Sequence, residues 1–213
     1  MRKNAAVPGL VRQRFYEMKD LPPVSSRDFA PTELQSIYRQ CFSEREWEQV
    51  PVAVRLAHKP DAERHGTFCI VHGRGFIARC LARTLRLPGA AQSVCGSVKI
   101  LARPNREEWK REFDGVPFNT QQWRDARGFV VERWRMIELR FRLVAYPEGL
   151  RYEQAGAALR LGPLRAPIPQ WIAPRVSAVE SAVGPDEVRV NVRVSLPMLG
   201  TLIAYDGRVE VAP

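Results

Sequence analysis

The spacing of hydrophobic residues changes along this 213-residue chain, from a helical period to a period of two. Between residues 32 and 50, apolar side chains recur every three to four positions, which predicts an amphipathic helix. Ser43 and Glu46 form a capping-box pattern, so we expect that helix to break and restart there. Shorter elements are predicted further along: a helix at 52–58, a strand at 67–71 and a helix at 76–87.

Hydrophobic and polar residues alternate after residue 92, as they do in strands with one buried face. In residues 137–146 the apolar face consists of Ile137, Leu139, Phe141 and Leu143. Short turns such as Asp114-Gly115 connect consecutive strands, which implies antiparallel pairing. About eight or nine such strands predict a strongly curved, barrel-like sheet, and we expect it to wrap around the helix at 76–87.

These elements define an α+β protein in which N-terminal helices precede an antiparallel sheet. We expect residues 1–30 to form a basic, partly ordered arm and residues 31–213 to form a single domain. Within that domain, the helices are assigned to residues 31–91 and the sheet to residues 92–213.

The net charge of +10 comes mainly from arginine. The arginines are spread along the whole chain, so the composition does not favour a dedicated nucleic-acid surface. Three histidines, and four cysteines without C-x-x-C spacing, give no metal-site pattern, and we expect no cofactor. No apolar run approaches the roughly 18 residues of a membrane span. Since no secretory signal is recognisable either, we expect a cytoplasmic protein without a membrane span.

A glycine-rich turn is the first candidate functional site. Gly73-Arg74-Gly75, with Ala78 further on, matches the G-x-G-x-x-A pattern of dinucleotide-binding turns. The predicted sheet that follows has no further βαβ units, so a structural turn is the better interpretation. Anion binding by Arg74 and the exposed amides of the turn remains an alternative. His72 adjoins the turn and is the best single acid–base candidate, although a structural role is favoured for it.

A carboxylate in an apolar strand is the second candidate. Glu132 lies in the run Phe129–Arg133, where a charged side chain is unusual. Facing inward it could act as a general base, whereas facing outward it would pair with a neighbouring arginine, and the outward interpretation is favoured. Aromatic residues recur on the predicted strands, Trp134 and Tyr205 among them. They either line an apolar ligand cavity or form ordinary core.

Five blocks of the sequence, taken in order, resemble the bacterial family known as domain of unknown function 4166. The blocks are Tyr38–His58, Gly73–Arg79, Phe129–Arg133, Ile168–Arg175 and Leu196–Gly200. The resemblance covers about residues 36–210. Where the family tends to have Gly-Pro after the central strand, this chain has Trp134-Arg135-Met136, so we expect the turn there to differ in shape.

The resemblance implies no assigned activity. Members of the family occur alone or behind a nucleotide-binding, saccharopine-dehydrogenase-like region, which makes an oxidoreductase-like protein a candidate partner. The residues that the resemblance favours as site residues are His72, Glu132, Trp171, Arg175 and Tyr205. Trp171 could equally plug a rigid corner between prolines, and Arg175 could pair with Glu180 across a bend.

Three functional hypotheses follow from these residues. The leading one is a binding module for a small apolar or amphipathic ligand in a cavity of the curved sheet. Its expected ligand-binding residues are Arg74, Trp134, Trp171, Arg175 and Tyr205. The first alternative is an enzyme on the same scaffold that uses His72 and Glu132 as acid–base groups. The second is a domain that docks on a nucleotide-binding oxidoreductase. The sequence leaves open whether any reaction is catalysed.

Overall fold

The computed structural model describes residues 35–211, which begin with a short helical segment ahead of the first strand. A 3-10 turn (Arg39–Cys41) leads into helix α1 (Glu44–Gln49), and helix α2 (Val52–Ala57) follows at once. Ser43 and Glu46 cap α1 reciprocally, with the Ser43 backbone N–H donating to Glu46 Oε2 over 2.8 Å. The predicted helix start at Ser43 is confirmed, whereas residues 35–42 contain only the short 3-10 turn and not the amphipathic α-helix expected before the break. The expected arm at residues 1–30 lies outside the described residues.

An antiparallel sheet that closes on itself forms most of the structure. Its strands within residues 35–211 are β1 (Glu63–His72), β2 (Ala91–Arg103), β3 (Arg106–Phe113), β4 (Val116–Pro117), β5 (Thr120–Arg124), β6 (Val130–Trp134), β7 (Ile137–Tyr146), β8 (Gly149–Leu161), β9 (Leu164–Pro167), β10 (Arg175–Ala182), β11 (Glu187–Leu196) and β12 (Gly200–Glu210). Ten of them form a ring in the order β10-β11-β12-β1-β2-β3-β5-β6-β7-β8, and β8 pairs back onto β10. The predicted α+β class with a barrel-like sheet is confirmed.

The sheet has more strands than the eight or nine expected. β1 lies inside the part of the chain assigned to helices, yet it is a full wall strand that pairs with both β12 and β2. β4 and β9 add two short strands that pair with β3 and β8 respectively. Each of these two is too short to show an alternation, so a hydrophobic pattern does not reveal it.

The pairing of β8 with β10 closes the ring through only four residue pairs, from Ala178–Tyr152 to Ser181–Gly149. Beyond them the two strands separate, and the side chain of Gln154 spans the gap. Its Nε2 donates to the Pro174 carbonyl over 2.8 Å, and its Oε1 accepts from the Val176 N–H over 2.7 Å. The Gln154 side-chain amide thus replaces the backbone hydrogen bonds that would otherwise join β8 and β10 here.

The expectation that the sheet wraps around the helix at 76–87 is wrong. Helix α3 (Phe76–Thr84) packs against β12 and β1, and it buries only the small side chains of Ala78 and Ala82. Its Phe76 side chain is 75% exposed. Two buried alanines cannot fill a barrel, so the interior is filled instead by the inward side chains of the strands.

The segment from residue 35 to residue 58, here called the plug, seals one end of the barrel. Its Ile37, Tyr38 and Val54 are buried in one cluster with Ile100 and Leu150 from the barrel wall. A buried arginine fastens the plug to the wall: the Arg64 guanidinium of β1 donates to the Leu56 carbonyl in the last turn of α2 and to the Lys59 carbonyl just beyond it, over 2.5 and 2.6 Å. A cation at this position interacts favourably with the carbonyl end of the helix.

Candidate functional site

A small cavity lies inside the barrel, between the plug and a second apolar cluster built around Phe68, Ile70, Val94 and Phe113. Its volume is about 90 Å³. Inward side chains from most of the barrel strands line it. The polar residues of the lining are Tyr38, Arg111, Gln122, Glu132, Tyr152, Glu180 and Tyr205. This density of polar groups is unusual for the inside of a ten-strand barrel, where apolar side chains would fill the space most stably.

Arg111 is the central cation of the cavity. It faces inward because Trp109, Arg111 and Phe113 occupy alternate positions of β3 and therefore share one face. Its Nη1 lies 3.0 Å from Glu132 Oε1 and 2.9 Å from Thr120 Oγ1, and its guanidinium lies 4.7 Å from the centre of the Trp109 ring. Only 12% of the arginine side chain and 21% of the glutamate side chain is exposed. β3 and β6 thus form an ion pair across β5.

Burial and charge act in opposite directions on the ionisable groups of the cavity. Burial alone would lower the pKa of Arg111, but Glu132 and nearby tyrosines hold that pKa above its usual value, so the guanidinium stays charged. Burial raises the pKa of Tyr205 to about 12, although the Arg111 guanidinium opposes the shift. At neutral pH the cavity therefore presents a charged guanidinium beside a protonated phenol.

Several polar atoms of these residues are available to a ligand. The two hydrogen bonds of Arg111 both use Nη1, so its Nε and Nη2 have no partner among residues 35–211. Glu132 uses only Oε1 in its contact with Arg111, which leaves Oε2 available within the same residues. The Tyr205 hydroxyl has no hydrogen-bond partner there either. Donors and an acceptor thus converge on one small space, which is the arrangement that orients a bound polar group.

A hydrogen-bonded network links this cavity to the plug. Glu180 on β10 contacts His58 Nε2 through Oε2 over 2.6 Å and accepts from the Tyr152 hydroxyl through Oε1 over 2.7 Å. The Tyr152 hydroxyl lies 3.3 Å from that of Tyr38, which donates to Gln122 over 2.7 Å. Two plug residues, His58 and Tyr38, stack with their ring centres 3.8 Å apart. The plug is therefore joined to the cavity wall by polar contacts as well as by apolar packing.

Glu180 is the anion of that network. Burial by itself would raise its pKa, but His58 and the Tyr152 hydroxyl hold the pKa below its usual value of 4.5, so the carboxylate is charged. The other ring nitrogen of His58, Nδ1, is buried without a partner among the described residues.

The plug closes one end of the barrel, and the opposite end is here called the mouth end. On β11, Val188 beside the plug is fully buried, whereas the inward Val192 and Val194 further along are half-buried. On β6, Val130 is buried near the plug and Trp134 at the far end is half-buried. Inward side chains therefore gain exposure toward the mouth end along β6 and β11, whereas Ile70, Val94 and Phe113 of the second apolar cluster stay buried there on β1, β2 and β3.

Two of the residues proposed from sequence, Glu132 and Tyr205, line this cavity. Glu132 combines one feature of each alternative, since its side chain faces inward and pairs with an arginine that also faces inward. The preference for an outward Glu132 is wrong because Arg111, two strands away across β5, supplies the neutralising charge inside the barrel.

His72 and Arg74 lie elsewhere. Both line a surface cleft of about 730 Å³ beside the start of α3, and the His72 Nε2 is 2.8 Å from the Pro88 carbonyl oxygen. His72 and Glu132 line separate cavities, so the structure does not bring together the acid–base pair proposed from sequence.

The remaining proposed residues are dispersed near the mouth end. Trp134 packs against Phe118, with ring centres 5.4 Å apart. Trp171 is 72% exposed and plugs no corner. Arg175 is exposed and points away from Glu180, so the expected pair between them is wrong. The two residues are five positions apart on one strand, and an odd separation places side chains on opposite faces.

Sequence reasoning did not select Arg111, Glu180 or His58 as site residues. For Arg111 a signal exists, because a charged residue flanked at two positions on either side by Trp109 and Phe113 must share their buried face. For Glu180 the same signal is weaker: it lies two positions from the apolar Ala178, so it is expected to share the face of that residue. His58 and Glu180 are 122 positions apart, and no local pattern indicates that they meet.

The structure defines a closed antiparallel barrel domain with an internal polar site. The chain belongs to the family described as Domain of unknown function (DUF4166), which matches residues 50–209. The resemblance seen in the sequence blocks is thereby confirmed. A comparison with curated proteins finds no match.

One similar solved structure is that of a protein with unknown function from the DUF3598 family of Nostoc punctiforme PCC 73102. The two chains are 12% identical and superpose with a TM-score of 0.41. The similarity covers 71% of this chain and 47% of the other, so this chain spans about half the length of that protein. Within the described residues, no helix is long and apolar enough to cross a membrane, and no cluster of metal-ligating side chains is found.

Proposed function

We propose that the barrel binds a small amphipathic molecule, with its polar head in the cavity beside Arg111 and its apolar part directed toward the mouth end. The observation that carries this proposal is the convergence of available polar atoms from Arg111, Glu132 and Tyr205 on one cavity, whose wall grows more exposed toward the mouth end along β6 and β11. A concave, mainly apolar site with a few converging polar groups is the usual form of a small-molecule site.

The charges of the cavity favour a neutral head group. Glu132 already neutralises Arg111, so a ligand carboxylate would compete with Glu132 for the same guanidinium. A hydroxyl or amide head can instead accept from Arg111 Nη2 or the Tyr205 hydroxyl and donate to Glu132 Oε2. Such a head satisfies all three groups without introducing a net charge into the barrel.

The volume of the cavity limits the head to a few heavy atoms. About 90 Å³ corresponds to roughly three water molecules at their volume in the liquid. Drug-sized ligand pockets are larger, at roughly 300–1,000 Å³. The remainder of the ligand therefore extends from the polar part of the cavity along its lining residues Val176 and Val192 and beyond them along Val194, all half-buried on the side of the mouth end.

The ion pair itself supports a binding role. Buried ion pairs contribute little net stability, since desolvation offsets their attraction, and apolar residues of similar size often stabilise a fold better. An arginine and a glutamate inside a barrel are therefore better explained by what they contact than by folding. The acid–base alternative has less support, because His72 and Glu132 line different cavities.

The test is native mass spectrometry of freshly purified protein, followed by denaturing extraction of anything bound. We expect the protein to carry, or to take up when supplied, a long-chain alcohol such as dodecanol. The double variant R111M/E132L removes both polar anchors and should lose this binding while keeping its circular dichroism spectrum. The matched control R189M/D206L removes an ion pair of 2.9 Å from the outer surface and should bind normally. A wild-type protein that neither carries nor takes up dodecanol would overturn the proposal.

A further inference from the structure

The connections between strands differ in chemistry at the two ends of the barrel. Because the wall strands alternate in direction, residues 73–90, 114–119, 135–136, 162–174 and 197–199 all lie at the mouth end. Residues 104–105, 125–129, 147–148 and 183–186 lie at the plug end. The mouth-end connections contain six arginines and one acidic residue, whereas the plug-end connections contain one arginine and three acidic residues. The connections at the two ends therefore carry opposite net charge.

The mouth end also gathers the exposed hydrophobic side chains. Eleven large hydrophobic residues are exposed within residues 35–211, and seven of them lie in the mouth-end connections: Phe76, Ile77, Met136, Leu164, Trp171, Ile172 and Met198. Val71 and Leu161 sit at the ends of strands that finish there. Only Val52 and Val183 lie at the plug end. A concentration of apolar surface on one part of a protein marks an interaction site, whereas scattered single residues do not.

Of the six arginines in the mouth-end connections, Arg165 alone forms an ion pair within residues 35–211, with Glu138 over 2.7 Å. Residues 64–106 contain eight arginines and lysines and no aspartate or glutamate. Four of these arginines, Arg74, Arg79, Arg83 and Arg86, belong to the α3 region, and none of the four forms an ion pair within residues 35–211. Their positive charge is thus available to an anionic partner.

We propose that the mouth end of the barrel docks on an anionic lipid surface, with the α3 arginines on the phosphates and Phe76, Ile77, Trp171 and Met198 in the apolar boundary. Arginines beside exposed aliphatic and aromatic side chains fit a surface that is anionic outside and apolar just beneath. Tryptophan suits that boundary because its ring is apolar and its N–H is polar. A nucleic acid would use the arginines but would leave Ile77 and Met198 in water.

This inference depends on the surface of the mouth end alone and does not require the barrel to bind a ligand. If both proposals hold, docking places the mouth end of the barrel against the bilayer. An amphipathic molecule could then pass between the membrane and the cavity without crossing bulk water.

The test is co-sedimentation with vesicles of phosphatidylcholine containing phosphatidylglycerol, compared with vesicles of phosphatidylcholine alone. We expect binding to the anionic vesicles that weakens as salt is raised. The variant R79Q/R83Q/R86Q should bind about 100-fold more weakly, since each basic residue near an anionic surface contributes about five-fold. The matched control R103Q/R106Q/R127Q removes the same charge near the plug end and should bind within about three-fold of wild type, because those residues stay far from the membrane.

A second pair of variants separates docking from simple charge attraction. The change F76S/W171S should weaken binding to anionic vesicles at least about ten-fold, because apolar side chains leave water on docking. The matched change V52S/V183S at the plug end should leave binding unchanged. Absence of vesicle binding, or equal losses in the two arginine variants, would overturn the proposal. So would binding of a DNA duplex through the α3 arginines without vesicle binding, since that result identifies a nucleic-acid surface.

Discussion

The Arg111–Glu132 pair offers the sharpest test of how the interior of this barrel is organised. The change Glu132→Leu removes the carboxylate and leaves the Arg111 guanidinium with Thr120 as its one hydrogen-bond partner among the described side chains. The double change R111M/E132L removes both charges and replaces them with apolar side chains of similar size. Comparing the two variants separates the effect of the pair from the effect of an uncompensated charge.

The expected magnitudes follow from the burial of the two groups. Breaking a buried ion pair by removing one partner costs about 3–5 kcal/mol. Because 12% of the arginine and 21% of the glutamate side chain is exposed, the lower value is expected, about 3 kcal/mol of unfolding free energy for E132L. The double variant should lie within about 1 kcal/mol of wild type, or be more stable, since no charge is left buried.

The measurement is equilibrium unfolding in urea, followed by circular dichroism. The exposed pair Arg189–Asp206 on the outer surface is the control, and D206L should cost at most about 1 kcal/mol because solvent screens the remaining arginine. If E132L costs no more than D206L, or if the double variant is as unstable as E132L, then the interior charge is not desolvated and the reasoning from burial is refuted.

Three further predictions concern other parts of the barrel. The pKa of Glu180 is held below its unfolded value of 4.5, so its contribution to stability is present above about pH 4.5 and is lost as the pH falls through the folded-state pKa. Unfolding of Glu180→Gln in urea should therefore depend less on pH below about 4.5 than unfolding of wild type, and an unchanged acid dependence would contradict this. At Gly207 an added Cβ would overlap the Phe68 ring, so Gly207→Ala should lower the unfolding free energy by about 1–3 kcal/mol in a thermal melt, and a melt at the wild-type temperature would refute the overlap. Arg135 has a φ of +53°, so Arg135→Gly should gain about 0.5–1 kcal/mol, whereas a loss would show that the contact of Arg135 with the Trp134 ring outweighs the backbone strain.

Much of the local structure could be predicted from sequence because its causes are local. The capping box at Ser43 and the turn at Asp114-Gly115 depend on residues a few positions apart, and both occur where expected. The barrel-like curvature was also predictable, since many short antiparallel strands close readily. The closure itself was not, because the pairing of Tyr152 with Ala178 depends on the register of strands separated by the β9 hairpin.

The candidate site could be predicted only in part, for a similar reason. The alternation along β3 indicates that Arg111 shares a face with two aromatic residues, but the sequence does not say that this face is the inside of a closed barrel. The partner of Arg111 is 21 positions away, on a strand that is not its neighbour in the sheet. The sequence shows that Glu132 is a charged residue in an apolar strand. Its contact with Arg111 depends on how several strands pair in register, and no single strand encodes that register.

The pairing of β1 with β12 has a consequence for how the chain reaches this structure. Gly66 pairs with Val209, so the first wall strand has no second neighbour until nearly the whole chain is in place. Contacts between residues so distant in sequence carry a large loop-closure entropy, and folds that depend on them form slowly. Until β12 arrives, β1 presents an open edge that can pair with another chain. Folding should accordingly be a late, cooperative closure of the ring, with refolding times toward the slow end for β-rich domains.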